Sequence, residues 1–220
     1  MRLPPIRLML IDPHTSYSEL LAFYLRREEP DLSVIGTATQ AAKGIRMILE
    51  KKPDVVVLET ELPCRGAFDL VSDLRKRLKG TKVVFLTAFQ SDVFIKQALE
   101  LDARGYLLKT EPVDFVIQSL KRVATGEYCY SKTVEERLES DSDRNKIGFR
   151  SEGHLSSLTP RQLEVLRHLS KGLSVKEVAK QMLISSKSVD SHKYRIMHKL
   201  DIHDRVSLAR YAIREGLVLP

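Results

Sequence analysis

Two groups of residues in this 220-residue chain could do chemistry, and the chain spreads them very differently. The first group is dispersed: Asp12, Glu59, Thr87 and Lys109, with Pro13 beside Asp12, each at or just after the end of a short apolar run. Two carboxylates, a hydroxyl and an amine brought to one place could form a structural ion pair, or a pocket of the kind a hydrolase uses. The second group is concentrated. Between 186 and 200, Lys187, Ser188, Asp190, Ser191, Tyr194, Arg195, His198 and Lys199 fall on the outer side of a helical repeat, with Lys193 among them and Lys176 a short way upstream. Cations, hydroxyls and one carboxylate on a helix face suit the phosphates and base edges of a DNA groove.

Charge separates the two groups further. The net charge is +7, but residues 156–220 hold twelve Lys and Arg against six Asp and Glu, whereas 1–130 hold nineteen against seventeen and 131–155 five against six. Charge serving solubility alone would be spread out, whereas an excess confined to the last third fits a phosphate-binding surface. With 43% hydrophobic and 30% charged residues, the composition is that of an ordinary globular chain. No apolar run reaches the roughly 18 residues of a membrane span. The apolar N-terminal stretch is cut short by Asp12 and Pro13, so no signal peptide is expected and the cytoplasm is the expected compartment. Cys64 and Cys129 are far apart, with no CxxC and no Cys/His cluster. Reduced, unpaired thiols without a metal are expected.

The dispersed group needs a scaffold that gathers it. Over 1–130, apolar runs at 6–11, 32–37, 54–58, 82–87 and 105–108 alternate with helical spacings at 16–27, 40–51, 68–78, 91–101 and 112–125. Five such repeats imply right-handed crossovers and an α/β fold, a doubly wound five-stranded parallel sheet covered on both faces. Functional groups of such a sheet gather beyond the carboxyl ends of its strands, where Asp12, Pro13, Glu59, Thr87 and Lys109 fall. Residues 131–157, rich in Ser, Glu, Asp and Arg, read mostly as a hydrated linker, with a short helix near 133–138.

The last stretch, 158–220, carries four helix starts. Thr159-Pro160-Arg161-Gln162 is a capping box with proline at the first helical position, and Gly172 supplies a left-handed stop. Ser174-Val175-Lys176-Glu177 is a second capping box, for a helix that ends near Met182 and leads into a tight turn over 182–185. The third helix, 186–200, turns Val189, Ile196 and Leu200 inward. Asp204 caps a fourth, closed by Gly216. These features describe a small all-α helix-turn-helix domain whose third helix would enter the major groove. His192 and His198 are six apart and do not share the i, i+4 face that a zinc pair uses.

Both halves resemble one family. LTPRQLEVL, KGLSVKEVA, ISSKSVDSH and the spaced HKL…DRVSLARYAIREGL match a LuxR-type helix-turn-helix in order and spacing, and VVFLTAF and ARGYLLKTEP look like the fourth and fifth strands of a receiver domain. Nearly the whole chain is thus similar to bacterial response regulators of the NarL/FixJ type: a flavodoxin-like receiver at 1–130, a linker at 131–157 and a DNA-binding domain at 158–220. The resemblance implies an acidic pocket. In it, two adjacent Asp after the first strand and a phosphoacceptor Asp after the third hold Mg²⁺, while a Thr or Ser and a Lys grip the phosphoryl group. Asp12, Thr87 and Lys109 match. Pro13 stands in place of the second acidic residue, and Glu59, in VVVLETELP, in place of the phosphoacceptor.

Glu is one methylene longer than Asp, which moves its carboxylate outward by about 1–1.5 Å and misaligns an attack that depends on tight positioning. Aspartyl phosphorylation is therefore expected to be lost, and Mg²⁺ binding weakened or absent. Two readings of Glu59 stay open. One is an ion pair with Lys109 in a degenerate pocket; the other is a fixed charge that partly mimics an acylphosphate, supplying one charge where a phosphoryl group supplies about two. Thr87 and Tyr106 match the family's switch positions, and the plainer alternative for Tyr106 is a half-buried strand tyrosine.

In the third helix the resemblance makes Lys187, Asp190, Ser191 and Tyr194 base-facing. Lys187 would reach guanine acceptors, and Asp190 either a cytosine amino group or an ion pair with Lys187 or Lys193. Lys176, Ser188, Lys193, Arg195 and Lys199 read as phosphate contacts. The fourth helix often pairs subunits in this family. The expected protein is a sequence-specific DNA-binding transcriptional regulator and not an enzyme, a homodimer on double-stranded DNA, with a histidine kinase or another protein as the partner to look for at the receiver. The alternatives are a conventionally phospho-switched regulator and a protein-interaction module whose DNA binding is secondary.

Overall fold

Runs of Val, Ile and Leu separated by amphipathic stretches fold as the alternation requires. The structure, a computed structural model, describes residues 4–62, 66–78, 80–141, 146–149 and 154–218. Strands β1 (Ile6–Ile11), β2 (Leu32–Ala38), β3 (Val55–Leu58), β4 (Lys82–Thr87) and β5 (Gly105–Leu108) are followed in turn by α1 (Thr15–Glu28), α2 (Ala41–Lys51), α3 (Ala67–Arg77), α4 (Asp92–Glu100) and α5 (Val113–Thr125). With β6 (Cys129–Tyr130) they form one sheet of order β2-β1-β3-β4-β5-β6, parallel throughout. Every residue of β3 and β5 is buried, as near-continuous apolar strands covered on both faces must be. One core cluster joins Leu8, Leu10 and Val57 of the sheet to Leu21 and Leu25 of α1 and Ile117 and Leu120 of α5.

The strand order reverses at β1, which lies between β2 and β3. Such a switch point opens a crevice at the carboxyl ends of the strands. The register pairs Ile11 with Leu58, Leu58 with Phe85 and Thr87 with Leu108. It therefore sets Asp12, Glu59, Thr87 and Lys109 side by side.

Two features depart from the sequence reading. The sheet has six strands and not five: Gly126, at φ 104°, turns the chain back after α5, and Cys129 and Tyr130 pair with Gly105 and Tyr106. Ser131 continues the contact, its N–H donating to Tyr106 O at 3.1 Å and its Oγ accepting from Leu108 N at 2.9 Å. A two-residue strand is too short to show a period. Beyond it, α6 (Lys132–Glu135) matches the expected short helix, but β7 (Leu138–Asp141) and β8 (Lys146–Phe149) pair antiparallel where composition reads as linker. Backbone pairing is indifferent to the polar side chains that make the segment look hydrated.

Contact density divides the chain into two units, Met1–Ala88 with Gln97–Glu136, and Phe89–Lys96 with Arg137–Pro220. Within the second unit Arg137 donates to Gln90 O at 2.6 Å and pairs with Asp92 at 2.9 Å, and the Arg167 guanidinium lies 5.3 and 4.8 Å from the ring centroids of Phe89 and Phe94. After a 3-10 turn (His154–Ser157) come α7 (Pro160–Ser170), α8 (Val175–Met182), α9 (Ser186–Leu200) and α10 (Arg205–Arg214). Both capping boxes form with both of their bonds. Ser185 and Asp204 accept from the N–H of Ser188 and Ser207, opening α9 and α10. Val189 and Ile196 are fully buried, whereas Leu200 is half-buried. No helix among the described residues is long and apolar enough to cross a membrane.

Candidate functional sites

The strand-end residues meet in a crowded, almost dry pocket. Backbone bonds tie their segments together: Glu59 N donates to Ile11 O at 2.9 Å and Lys109 N to Thr87 O at 2.8 Å. Glu59 and Thr87 are 1% and 0% exposed and Asp12 is 6% exposed. The Lys109 ammonium lies between the carboxylates, 2.5 Å from Asp12 Oδ2 and 2.9 Å from Glu59 Oε2. The other Glu59 oxygen, Oε1, accepts from Thr87 Oγ1 at 2.5 Å, Thr60 Oγ1 at 3.0 Å and Glu61 N at 3.3 Å. Both oxygens of this fully buried carboxylate are therefore engaged, which is the condition for keeping a charge inside a protein.

Two residues at the start of α1 close the pocket. His14 N and Nδ1 lie 2.8 and 2.9 Å from Asp12 Oδ1, and Nδ1 is 3.2 Å from Lys109 Nζ. The Tyr17 ring centroid is 4.7 Å from that ammonium, a cation–π distance. Burial, and after it the charges of Asp12 and Glu59, push the Tyr17 phenol up to about 12. Tyr17 therefore stays a neutral ring against the ammonium and adds no third negative charge.

On α9, Lys187, Asp190, Ser191, Tyr194 and Arg195 are exposed, and Lys176 is exposed on α8. Lys193 Nζ holds Asp190 Oδ1 at 3.1 Å, the ion pair weighed for that carboxylate. Ser188 is half-buried, with its Oγ 2.8 Å from that of Ser185. Lys199 Nζ donates to Ser157 O at 2.5 Å and to Gln162 Oε1 at 3.2 Å. These two expected phosphate ligands thus already bond within the module. Burial, and then Arg161 and Arg195, lower the His192 imidazole below its usual range, which suits a neutral half-buried ring.

Residues 8–121 match the family model of the response regulator receiver domain, and residues 156–212 that of bacterial regulatory proteins, luxR family. The chain belongs to the LuxR-family response regulators. It is 31% identical over 215 residues to the transcriptional regulatory protein LiaR of Bacillus subtilis, covering 97% of this chain and 99% of that one. Its fold is similar to that of the RcsB response regulator of Salmonella typhimurium, with a TM-score of 0.75 at 19% identity over 97% of this chain and 100% of that one. A structure of two RcsB dimers bound to two parallel DNAs matches with a TM-score of 0.57 at 20% identity, over 94% and 97% of the two chains. As a LuxR-family response regulator, the protein is a DNA-binding transcriptional regulator.

The residues present do not fit the Mg²⁺ of such a receiver. Magnesium takes oxygen ligands in a near-octahedral set. Here both carboxylates are held by an ammonium and Pro13 contributes none. Among the described residues, the third group whose ligand atom lies within 4.8 Å of theirs is the imidazole of His14.

The structure brings Asp12, Glu59, Thr87 and Lys109 of this response regulator together, as their strand-end positions imply. His14, Thr60 and Tyr17 were missed. Thr60 follows Glu59 at the end of β3, so the same strand-end rule could have found it. His14 and Tyr17 reach the pocket because α1 begins three residues after Asp12, and one sequence does not reveal which way those side chains turn. Tyr106 is 0% exposed, deeper than a half-buried strand tyrosine, with its ring centroid 6.0 Å from that of Phe85. Cys129 is a buried free thiol, pushed up chiefly by burial, and Cys64 lies outside the described residues.

Proposed function

We propose that this response regulator is a sequence-specific, homodimeric regulator of transcription in the cytoplasm whose receiver works without aspartyl phosphorylation. The observation that carries the reading is the Lys109 ammonium lying within 2.9 Å of both pocket carboxylates. Phosphoryl transfer would need a divalent cation near those oxygens and a lysine turned toward the incoming group. A covalently attached cation already takes the first place, and its pairing removes the second. Glu59 also engages the Thr87 hydroxyl, so it touches both groups that would grip a phosphoryl oxygen. The ion-pair and fixed-charge readings of Glu59 converge here, because one carboxylate contacts both Lys109 and Thr87.

The DNA side of the proposal rests on the exposed Lys187, Ser191 and Tyr194 of α9 as base-facing residues, with Asp190 available if Lys193 releases it. Lys176, Lys193 and Arg195 are assigned to phosphates, and Ser188 and Lys199 to phosphates through the donors their internal bonds leave. The RcsB dimers on DNA support a homodimer on a two-fold site. Incubating the full chain with acetyl phosphate and Mg²⁺ and weighing it intact tests the receiver. No phosphoryl adduct is expected, and a stable adduct on Glu59 overturns the proposal. Gel retardation with duplexes selected from a random pool tests the DNA face, where Lys187→Ala should weaken binding and unchanged binding removes the groove assignment.

A further inference from the structure

The turn between α8 and α9 carries a side chain that folding does not explain. Leu183 is 82% exposed, more than any other large apolar side chain among the described residues. Its φ of 54° and ψ of 44° put it in the left-handed region, where an L side chain is strained and glycine or asparagine is favoured. The other described non-glycine residues at positive φ are Lys52, Asp102 and Asp201, all polar.

The turn is held firmly from within. Met182 is 6% exposed, and its carbonyl accepts from Arg161 Nη2 at 3.0 Å. Ile184 is half-buried, and its N–H donates to Ala179 O at 3.0 Å. Leu183 is the residue that protrudes between them, and an apolar side chain in a strained, wet position adds nothing to the stability of this turn.

The surroundings indicate what it meets. Lys180 and Lys187 are exposed on either side. The neighbouring acids are occupied, since Glu177 accepts from Ser174 at 2.7 Å and Asp190 is paired with Lys193 at 3.1 Å. Leu183 is thus an apolar knob on a basic rim, two residues before the N-cap of the helix assigned to the groove. DNA combines phosphate charge with apolar surface, namely the faces of deoxyribose and the C5-methyl group of thymine.

We infer that Leu183 is a DNA contact, packing its side chain on that apolar surface at the edge of the major groove while Lys180 meets a flanking phosphate and Lys187 reaches the base edges. The inference rests on the assignment of α9 to the groove. It adds to the charged contacts one that salt does not screen.

The test uses the full chain and duplexes recovered from a random pool by the wild-type protein. Leu183→Asn should raise the melting temperature by a few degrees, because asparagine tolerates the left-handed region. The same change should weaken binding by about 10-fold, the order expected for losing a buried leucine contact. That loss should be the same at low and high salt, unlike the loss from Lys180→Ala, which shrinks as salt rises. Leu183→Met, which keeps the apolar reach, should bind as the wild type does. Duplexes with uracil in place of thymine separate the two sources: a loss for the wild type but not for Leu183→Asn assigns the methyl group, and no loss assigns the sugar. The inference is overturned if Leu183→Asn binds like the wild type, or if it melts below the wild type, which would show the leucine packing within its own module. A wild-type chain that retards no duplex at low salt sinks the assignment of α9 along with it.

Discussion

One lysine decides the character of the receiver pocket. The side chains of Lys109, Asp12 and Glu59 are 12%, 9% and 0% exposed, so each depends on the others to remain charged out of water. Removing the cation leaves two carboxylates facing each other. Lys109→Met should therefore cost about 3–5 kcal/mol, the usual penalty for breaking a buried pair by deleting one partner. Thermal melts read this as a lowered transition. Glu59→Gln keeps the length and leaves Lys109 paired with Asp12, so it should destabilise less than Lys109→Met does. The reverse order would mean that the ion pair is not what holds the pocket. The main actors were readable because strand-end position and residue type coincide at 12, 59, 87 and 109. His14 and Tyr17 were not, because their roles depend on the direction in which the first turn of α1 aims its side chains.

At the scale of elements, what the sequence shows well is whatever repeats over two turns or fills a strand on both faces. Strands β4 and β5 run over the same residues as their apolar runs, and the caps of α7, α8 and α10 fall on Thr159, Ser174 and Asp204 as their side chains demand. Strands β6, β7 and β8 escaped because they are set by backbone pairing over two to four residues, below any period. Thr159→Ala removes one bond of a capping box and should cost about 0.5–2 kcal/mol, read by thermal unfolding. His168, half-buried on α7, is held below its ordinary value of 6.5 by burial and then by Arg167 and Arg161. Its neutral form is the one the fold prefers, so the unfolded chain binds the extra proton first. The stabilisation is complete above about pH 6.5 and is lost as pH falls below it. Hydrogen exchange of the α7 amides should accelerate between about pH 7 and 5 in the wild type. Intrinsic exchange slows with acid over that range, so the comparison is made after correcting for it. The acceleration should be smaller in His168→Gln, and an equal response in both would remove the histidine from the account.

At the scale of the whole molecule, charge and control are unevenly distributed. Residues 156–220 carry most of the net positive charge, with twelve basic against six acidic side chains. The proposed dimer, making roughly six to ten phosphate contacts, should lose about 10³–10⁵ in affinity between about 50 and 200 mM salt. A nearly flat salt response in a titration would show that this surface does not follow the DNA backbone. The Lys109 ammonium has a consequence of another kind. A phosphoryl group is hydrolysed and a metal ion dissociates, and each event has a lifetime that can serve as a clock. An amine on its own backbone has no departure rate and leaves no record of a past signal. On the proposed reading, a receiver that takes no phosphoryl group would have no memory to erase, and the strength of its output would follow how many copies the cell keeps, through synthesis and degradation.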